Sequence, residues 1–161
     1  MSDSFEIRII ANGKTVQFHC YNEHKSFETL HGMVASWKRK SDDVTWQWEQ
    51  ESKSVRDNYW KAPYGTKEFE KALEEYDKAI AIHVERLDKV FQEEVMDKLN
   101  ADPDCEPTFF PYDDIKQFYV LDFARNIFMS YTMKGDADAW SKTGKLWYEQ
   151  IPAYWRKESL A

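Results

Sequence analysis

Three groups of side chains have the chemistry to hold a metal ion. His19, Cys20 and His24 together offer the nitrogen and sulfur donors that zinc prefers. Adjacent residues of a strand point to opposite faces, however, so an inward Cys20 and an outward His19 do not aim at one ion. Asp102, Asp104 and Glu106 alternate as the early ligands of a calcium loop do. The turn glycine and the distal glutamate of such a loop are missing, and Pro107 stands where the glycine is needed. Asp136 and Asp138 suit the capping of a helix better than a magnesium site. No metal or other cofactor is expected.

Proton transfer needs a histidine or carboxylate beside a nucleophile or a second titratable group. His31 follows Leu30 on a helix that faces inward, which fits a half-buried, satisfied imidazole. His83 falls in an apolar helical seam, where its imidazole needs a partner across the interface. Asp122 and Arg125 are three residues apart and suit pairing with each other. The sequence contains no nucleophile elbow, zinc-protease, Walker or dinucleotide fingerprint, and its 5 glycines leave little for a backbone phosphate cradle. An enzyme would have to place His19, His31 or Asp122 in a cleft between a sheet and helices.

Charge is more informative. The chain of 161 residues carries a net charge of −7. Residues 1–65 hold 9 acidic and 9 basic side chains, and residues 107–161 hold 7 of each, so the whole excess lies in residues 66–106, with 13 acidic against 6 basic. An acidic chain without a basic stripe lacks the counterion-release term that drives nucleic-acid binding, so direct contact with nucleic acid is not expected. The inverse reading is a carboxylate-studded helix that imitates a phosphate backbone. Glu68, Glu75, Glu85, Asp88, Glu93, Asp97, Asp102 and Asp104 would carry it. Three (i, i+4) pairs, Glu74–Lys78, Glu85–Lys89 and Glu94–Lys98, argue instead for a solvated outer face.

These residues need elements to position them. Apolar residues make up 42% and aromatics 16%, enough for a real core. In "FEIRIIANGKTVQFHC", Asn12-Gly13 suits a type I′ turn. The implied hairpin pairs Ile9 with Val16, Ile7 with Phe18 and Phe5 with Cys20 on an apolar face, with Arg8 opposite Gln17 and Glu6 opposite His19 on a polar one. A helix follows from Ser26, with Phe27, Leu30, Val34 and Trp37 on one side and Lys38, Arg39 and Lys40 in its last turn. "DDVTWQWEQ" alternates, which predicts a third strand with Val44, Trp46 and Trp48 inward. "SVRDNYWKAPYGT" holds a short helix or a packed loop, with Trp60 placed to join modules or meet a partner.

Residues 66–100 predict one long helix capped by Thr66, with Phe69, Leu73, Tyr76, Ile80, His83, Leu87 and Val90 in a coiled-coil-like seam. After a break at Pro103, Pro107 and Pro111, "DIKQFYVLDFARNIFMSYTMK" reads as a helix that is apolar all round and therefore central. A last helix would carry Trp140, Trp147 and Ile151.

The expected fold class is α+β, a small antiparallel sheet followed by a helical part. The expected organisation is a single compact domain over 1–161, with a β-β-α-β module at 1–50 and a helical module at 66–158. No apolar run is long enough to span a bilayer, and the N-terminus has no signal-like region, which predicts a cytosolic chain with Cys20 and Cys105 reduced. The expected function is non-catalytic: a regulator or inhibitor that binds a larger protein with a basic surface, one that processes nucleic acid being a natural case. Its contacts would be Glu75, Glu85, Asp88 and Glu93 on the acidic helix and the aromatic anchors Trp60, Trp147 and Trp155. In size and composition the chain resembles small accessory proteins of bacteriophages. A homodimer joined through the 69–90 seam is the structural alternative.

Overall fold

The computed structural model describes residues 4–21, 26–108, 117–133 and 155–159. The predicted α+β class holds. The strands are β1 (Phe5–Ala11), β2 (Lys14–Cys20), β3 (Cys105–Pro107), β4 (Gln117–Asp122), β5 (Ile127–Met133) and β6 (Trp155–Ser159). The helices are α1 (Ser26–Glu51), α2 (Lys53–Lys61), α3 (Lys67–Phe91) and α4 (Asp97–Ala101), with a π turn, Gln92–Met96, between the last two. Two compact units divide the chain, one formed by 1–35 with 97–161 and the other by 36–96.

The first unit is built on a six-stranded sheet of order β3-β2-β1-β4-β5-β6. The β1–β2 hairpin has the predicted register, with Phe5 opposite Cys20, Ile7 opposite Phe18 and Ile9 opposite Val16. Asn12 and Gly13 take φ values of 52° and 73°, the left-handed pair a type I′ turn requires. β1 then pairs with β4 in parallel, Glu6 beside Phe118 and Ile9 beside Leu121, while every other pairing is antiparallel. The apolar face carries Phe5, Ile7, Ile9, Phe18, Tyr119, Leu121 and Phe128, all buried. Leu30 and Val34 of α1 and Leu99 of α4 are buried in the same unit. The edge strand β3 is three residues long and ends on Pro107, two devices that stop further strands from adding.

Two predicted elements are overturned here. The segment expected as an all-apolar central helix is the β4–β5 hairpin. Its aromatic and β-branched residues (Phe118, Tyr119, Val120, Ile127, Phe128, Tyr131) favour a pleated sheet buried on both faces, a pattern that is apolar all round in either reading. The Oδ1 of Asp122 accepts hydrogen bonds from the backbone N–H groups of Ala124 and Arg125 at 3.1 and 3.0 Å, and Asn126 takes a left-handed φ of 56°. Those contacts close the hairpin turn. Strands therefore lie within the part, 66–158, expected to be helical.

Cys20 and Cys105 form a disulfide, correcting the expectation of reduced thiols. They are directly opposed on β2 and β3, with Cα atoms 4.2 Å apart. The flanking backbone bond from Tyr21 N–H to the Asp104 carbonyl, 2.9 Å, makes theirs the close, non-hydrogen-bonded kind of cross-strand pair. Disulfides persist in oxidising compartments, so the thiol argument for a cytosolic location falls away. Among the described residues no helix is long and apolar enough to cross a membrane.

The second unit is helical, and it overturns the expected third strand. Residues 42–50 lie inside α1, which runs from Ser26 to Glu51. At about 100° per residue, Trp46 and Trp48 then point to nearly opposite sides rather than one. Trp48 turns inward and Trp46 is 65% exposed. Lys38, Arg39 and Lys40 are consequently mid-helix rather than in a last turn. The helix α3 runs back along α1 and α2: Lys40 meets Glu94, Trp48 meets Ala79 and Tyr59 meets Tyr76. Thr66 caps α3 as predicted, its Oγ1 accepting from Phe69 N–H at 3.2 Å.

Candidate functional site

The inner side of α3 is occupied within its own unit. The indole N–H of Trp48 donates to the Ala79 carbonyl at 2.7 Å, and its ring stacks on His83 at 4.6 Å and 11°. The Nε2 of His83 lies 3.1 Å from Thr45 Oγ1, which supplies the partner that a seam histidine needs. Tyr59 of α2 stacks on Tyr76 at 4.6 Å and also touches Phe69. The π turn rolls Glu94 inward, where it is buried and bonded to Lys40 and to Ser36 Oγ, the latter at 3.0 Å.

The predicted seam is thereby split. Phe69, Tyr76, His83, Leu87 and Val90 are partly covered, and Ala72, outside the predicted set, is buried. Leu73 and Ile80 remain 36% and 37% exposed, with Val84 at 50%. Helical geometry places Leu73, Ile80 and Val84 within about 40° of one another around α3, in one row. Glu70, Asp77 and Asp88 form a second row about 20–80° further round on one side. All three carboxylate residues are exposed, and neither Glu70 nor Asp77 has an ion-pair partner among the described residues. The outer face of α3 thus carries an apolar row edged by negative charge.

The acidic contacts predicted from sequence do not gather on one face. Only Asp88 lies beside the apolar row. Glu85 is about 100° round from Val84, and Glu75 about 200° round from Leu73, on the far side of the helix. Glu75 shares Lys78 with Glu74, at 3.6 and 3.5 Å, and Glu93 lies 3.9 Å from Lys89. Among the expected (i, i+4) pairs, Glu74–Lys78 forms as predicted. Trp60 is 75% exposed and meets the edge of Tyr59 at 5.3 Å. Trp155 opens β6, and its side chain is outside the described set, as are Trp147, the helix expected around it and the cap residues Asp136 and Asp138. Reasoning from sequence missed the row of Leu73, Ile80 and Val84 as a surface, because two of its members had been assigned to the seam. The seam's steps of four and three residues drift around a straight helix, which was the signal that some positions must leave it.

The residues considered for enzyme chemistry do not converge. His31 is exposed on α1. Asp122 is engaged in its hairpin turn, with Arg125 Nε 3.8 Å from its Oδ2, the pairing expected. His19, expected to face solvent, is buried with Glu6 and Gln17 on the second face of the sheet. Glu6 accepts a hydrogen bond from Gln17 Nε2 at 2.5 Å and lies 3.4 Å from His19 Nδ1. Such a buried network satisfies a carboxylate removed from water. Cys20 points to the opposite face and is consumed by the disulfide, so His19 and Cys20 do not aim at one ion, as their alternation on the strand implies. Among the described residues no group of three or more histidine, cysteine or acidic side chains is placed to hold a metal. Comparison with family models, curated proteins and solved structures finds no match to this chain.

Proposed function

We propose that the protein is a non-catalytic binding module that regulates or inhibits a larger protein, with the outer face of α3 as its contact surface. The observation that carries this reading is the pairing of rows on that face. Leu73, Ile80 and Val84 offer the spacing on which an amphipathic helix docks, and Glu70, Asp77 and Asp88 select a basic one. A second copy of this acidic surface would meet like charge, which disfavours self-association there. Proteins that process nucleic acids present basic surfaces of the required kind.

The test uses the full chain as bait, with an amphipathic Leu/Lys helical peptide as a defined probe and native-host extract as the source of partners. Binding should weaken at least tenfold in Ile80→Asp, and in Glu70→Lys/Asp77→Lys it should both weaken and lose its salt sensitivity. Equal binding of the peptide by wild type and Ile80→Asp would reject this surface. A dimer in sedimentation that Ile80→Asp dissolves would show instead that a second copy covers it.

A further inference from the structure

The first unit contains a cavity of about 300 Å³ that none of the contacts above uses. Its floor is Phe5 and Ile7 from β1, Leu30 from α1 and Leu99 from α4, all buried. The Cys20–Cys105 disulfide forms one wall. The exposed lining residues, Thr29, Pro103 and Asp104, together with half-buried Asp102, mark the mouth. Among the described residues, Asp102 and Asp104 are the only ionisable groups in the lining, and neither has an ion-pair partner there. Their turn is fixed by the bond from Asp104 N–H to Asp102 Oδ1, 2.9 Å, which holds the Asp102 carboxylate against the Asp104 backbone.

An apolar cavity with a few charged groups at one end is the usual form of a small-molecule site, and about 300 Å³ is the lower end of its size range. Two carboxylates at the mouth favour a positive head group and repel an anion. The apolar floor offers no ligand to a bare metal ion and gains from covering hydrocarbon. We propose that this cavity binds a small organic ammonium ion, with its hydrocarbon body on Phe5, Ile7, Leu30 and Leu99 and its charged head between Asp102 and Asp104. The site is separate from the α3 surface, and the two readings stand or fall independently.

Three probes of similar shape test it on the oxidised 161-residue chain: 2-phenylethylammonium, the neutral 2-phenylethanol and the anionic 3-phenylpropanoate. Each is titrated while amide resonances are followed by NMR. The ammonium should give saturable shifts at Leu30, Leu99 and Cys105, with a dissociation constant at least tenfold below that of the alcohol, and the carboxylate should give none. Asp102→Asn/Asp104→Asn should bring ammonium and alcohol within about threefold of each other. Thr29→Trp, at an exposed position, should close the mouth and abolish both while the remaining spectrum stays dispersed. The proposal is overturned if no probe saturates these amides, if alcohol and ammonium bind equally to the wild type, or if Thr29→Trp leaves binding unchanged.

Discussion

Reducing the Cys20–Cys105 bond should cost a large part of the stability of the sheet-bearing unit. The two cysteines are 85 residues apart in sequence, so the bond closes a long loop in the unfolded chain. In the chain-entropy description the loss scales with the logarithm of loop length and comes to about 4.6 kcal/mol at 25 °C for such a loop. Measured effects are commonly about 2–4 kcal/mol, because unfolded chains retain structure. Here the loop contains all four helices, α1 to α4, and residual helix within it would shorten the free chain and lower the figure. With a urea slope of about 2 kcal/mol/M, reduction should move the unfolding midpoint down by roughly 1–2 M. Reduction is preferable to substitution, since the thiols keep their volume and Cys20 is almost fully buried. The assay is urea unfolding with and without dithiothreitol, followed by far-UV circular dichroism. Alkylation and mass measurement on the untreated protein report the bond itself. Coincident transitions would refute the loop argument, and two alkylated cysteines without reductant would refute the bond.

Two further perturbations have definite signs. Lys40→Met should destabilise the helical unit by about 1–2 kcal/mol, because it strips a cation from the buried Glu94, whereas Glu94→Gln should cost less since it removes the buried charge and keeps a partner for Ser36; thermal melts of both variants rank them. Burial holds the Tyr131 hydroxyl above the ordinary tyrosine value of 10.0. An unfolded chain ionises this group first, so its contribution to stability is complete below pH 10 and falls as pH rises towards the folded value. Tyr131→Phe should flatten that alkaline loss in urea titrations, and an unchanged slope would count against the assignment.

Local turn chemistry made some of this legible. The Asn12-Gly13 pair and the alternation around it led directly to the hairpin register, because a side-chain period of two leaves no freedom once the turn is placed. Thr66 and the acidic first turn marked the start of α3 for similarly local reasons. Polar residues on the second sheet face were harder. Glu6, Gln17 and His19 look like a solvent face in sequence, and their mutual hydrogen bonds help to make burial tolerable. The stretch around Trp46 and Trp48 alternates over too few residues to separate strand from helix, and nothing before it breaks α1. Within the candidate site, the acidity of α3 was visible as composition. Its distribution around the helix was not, since that depends on which apolar residues α1 and α2 cover.

The parallel pairing of β1 with β4 has a consequence for the newborn chain. Glu6 is matched to β2 almost at once through His19, but its other neighbour, Phe118, is synthesised 112 positions later. At about 5–20 residues per second, the second edge of β1 waits roughly 5–20 s for its partner. The helices between them are closed by local contacts and can form during that interval. The sheet is therefore completed late, from a hairpin whose β1 edge stays open until β4 arrives, and crowded synthesis of many copies exposes that edge to its twins.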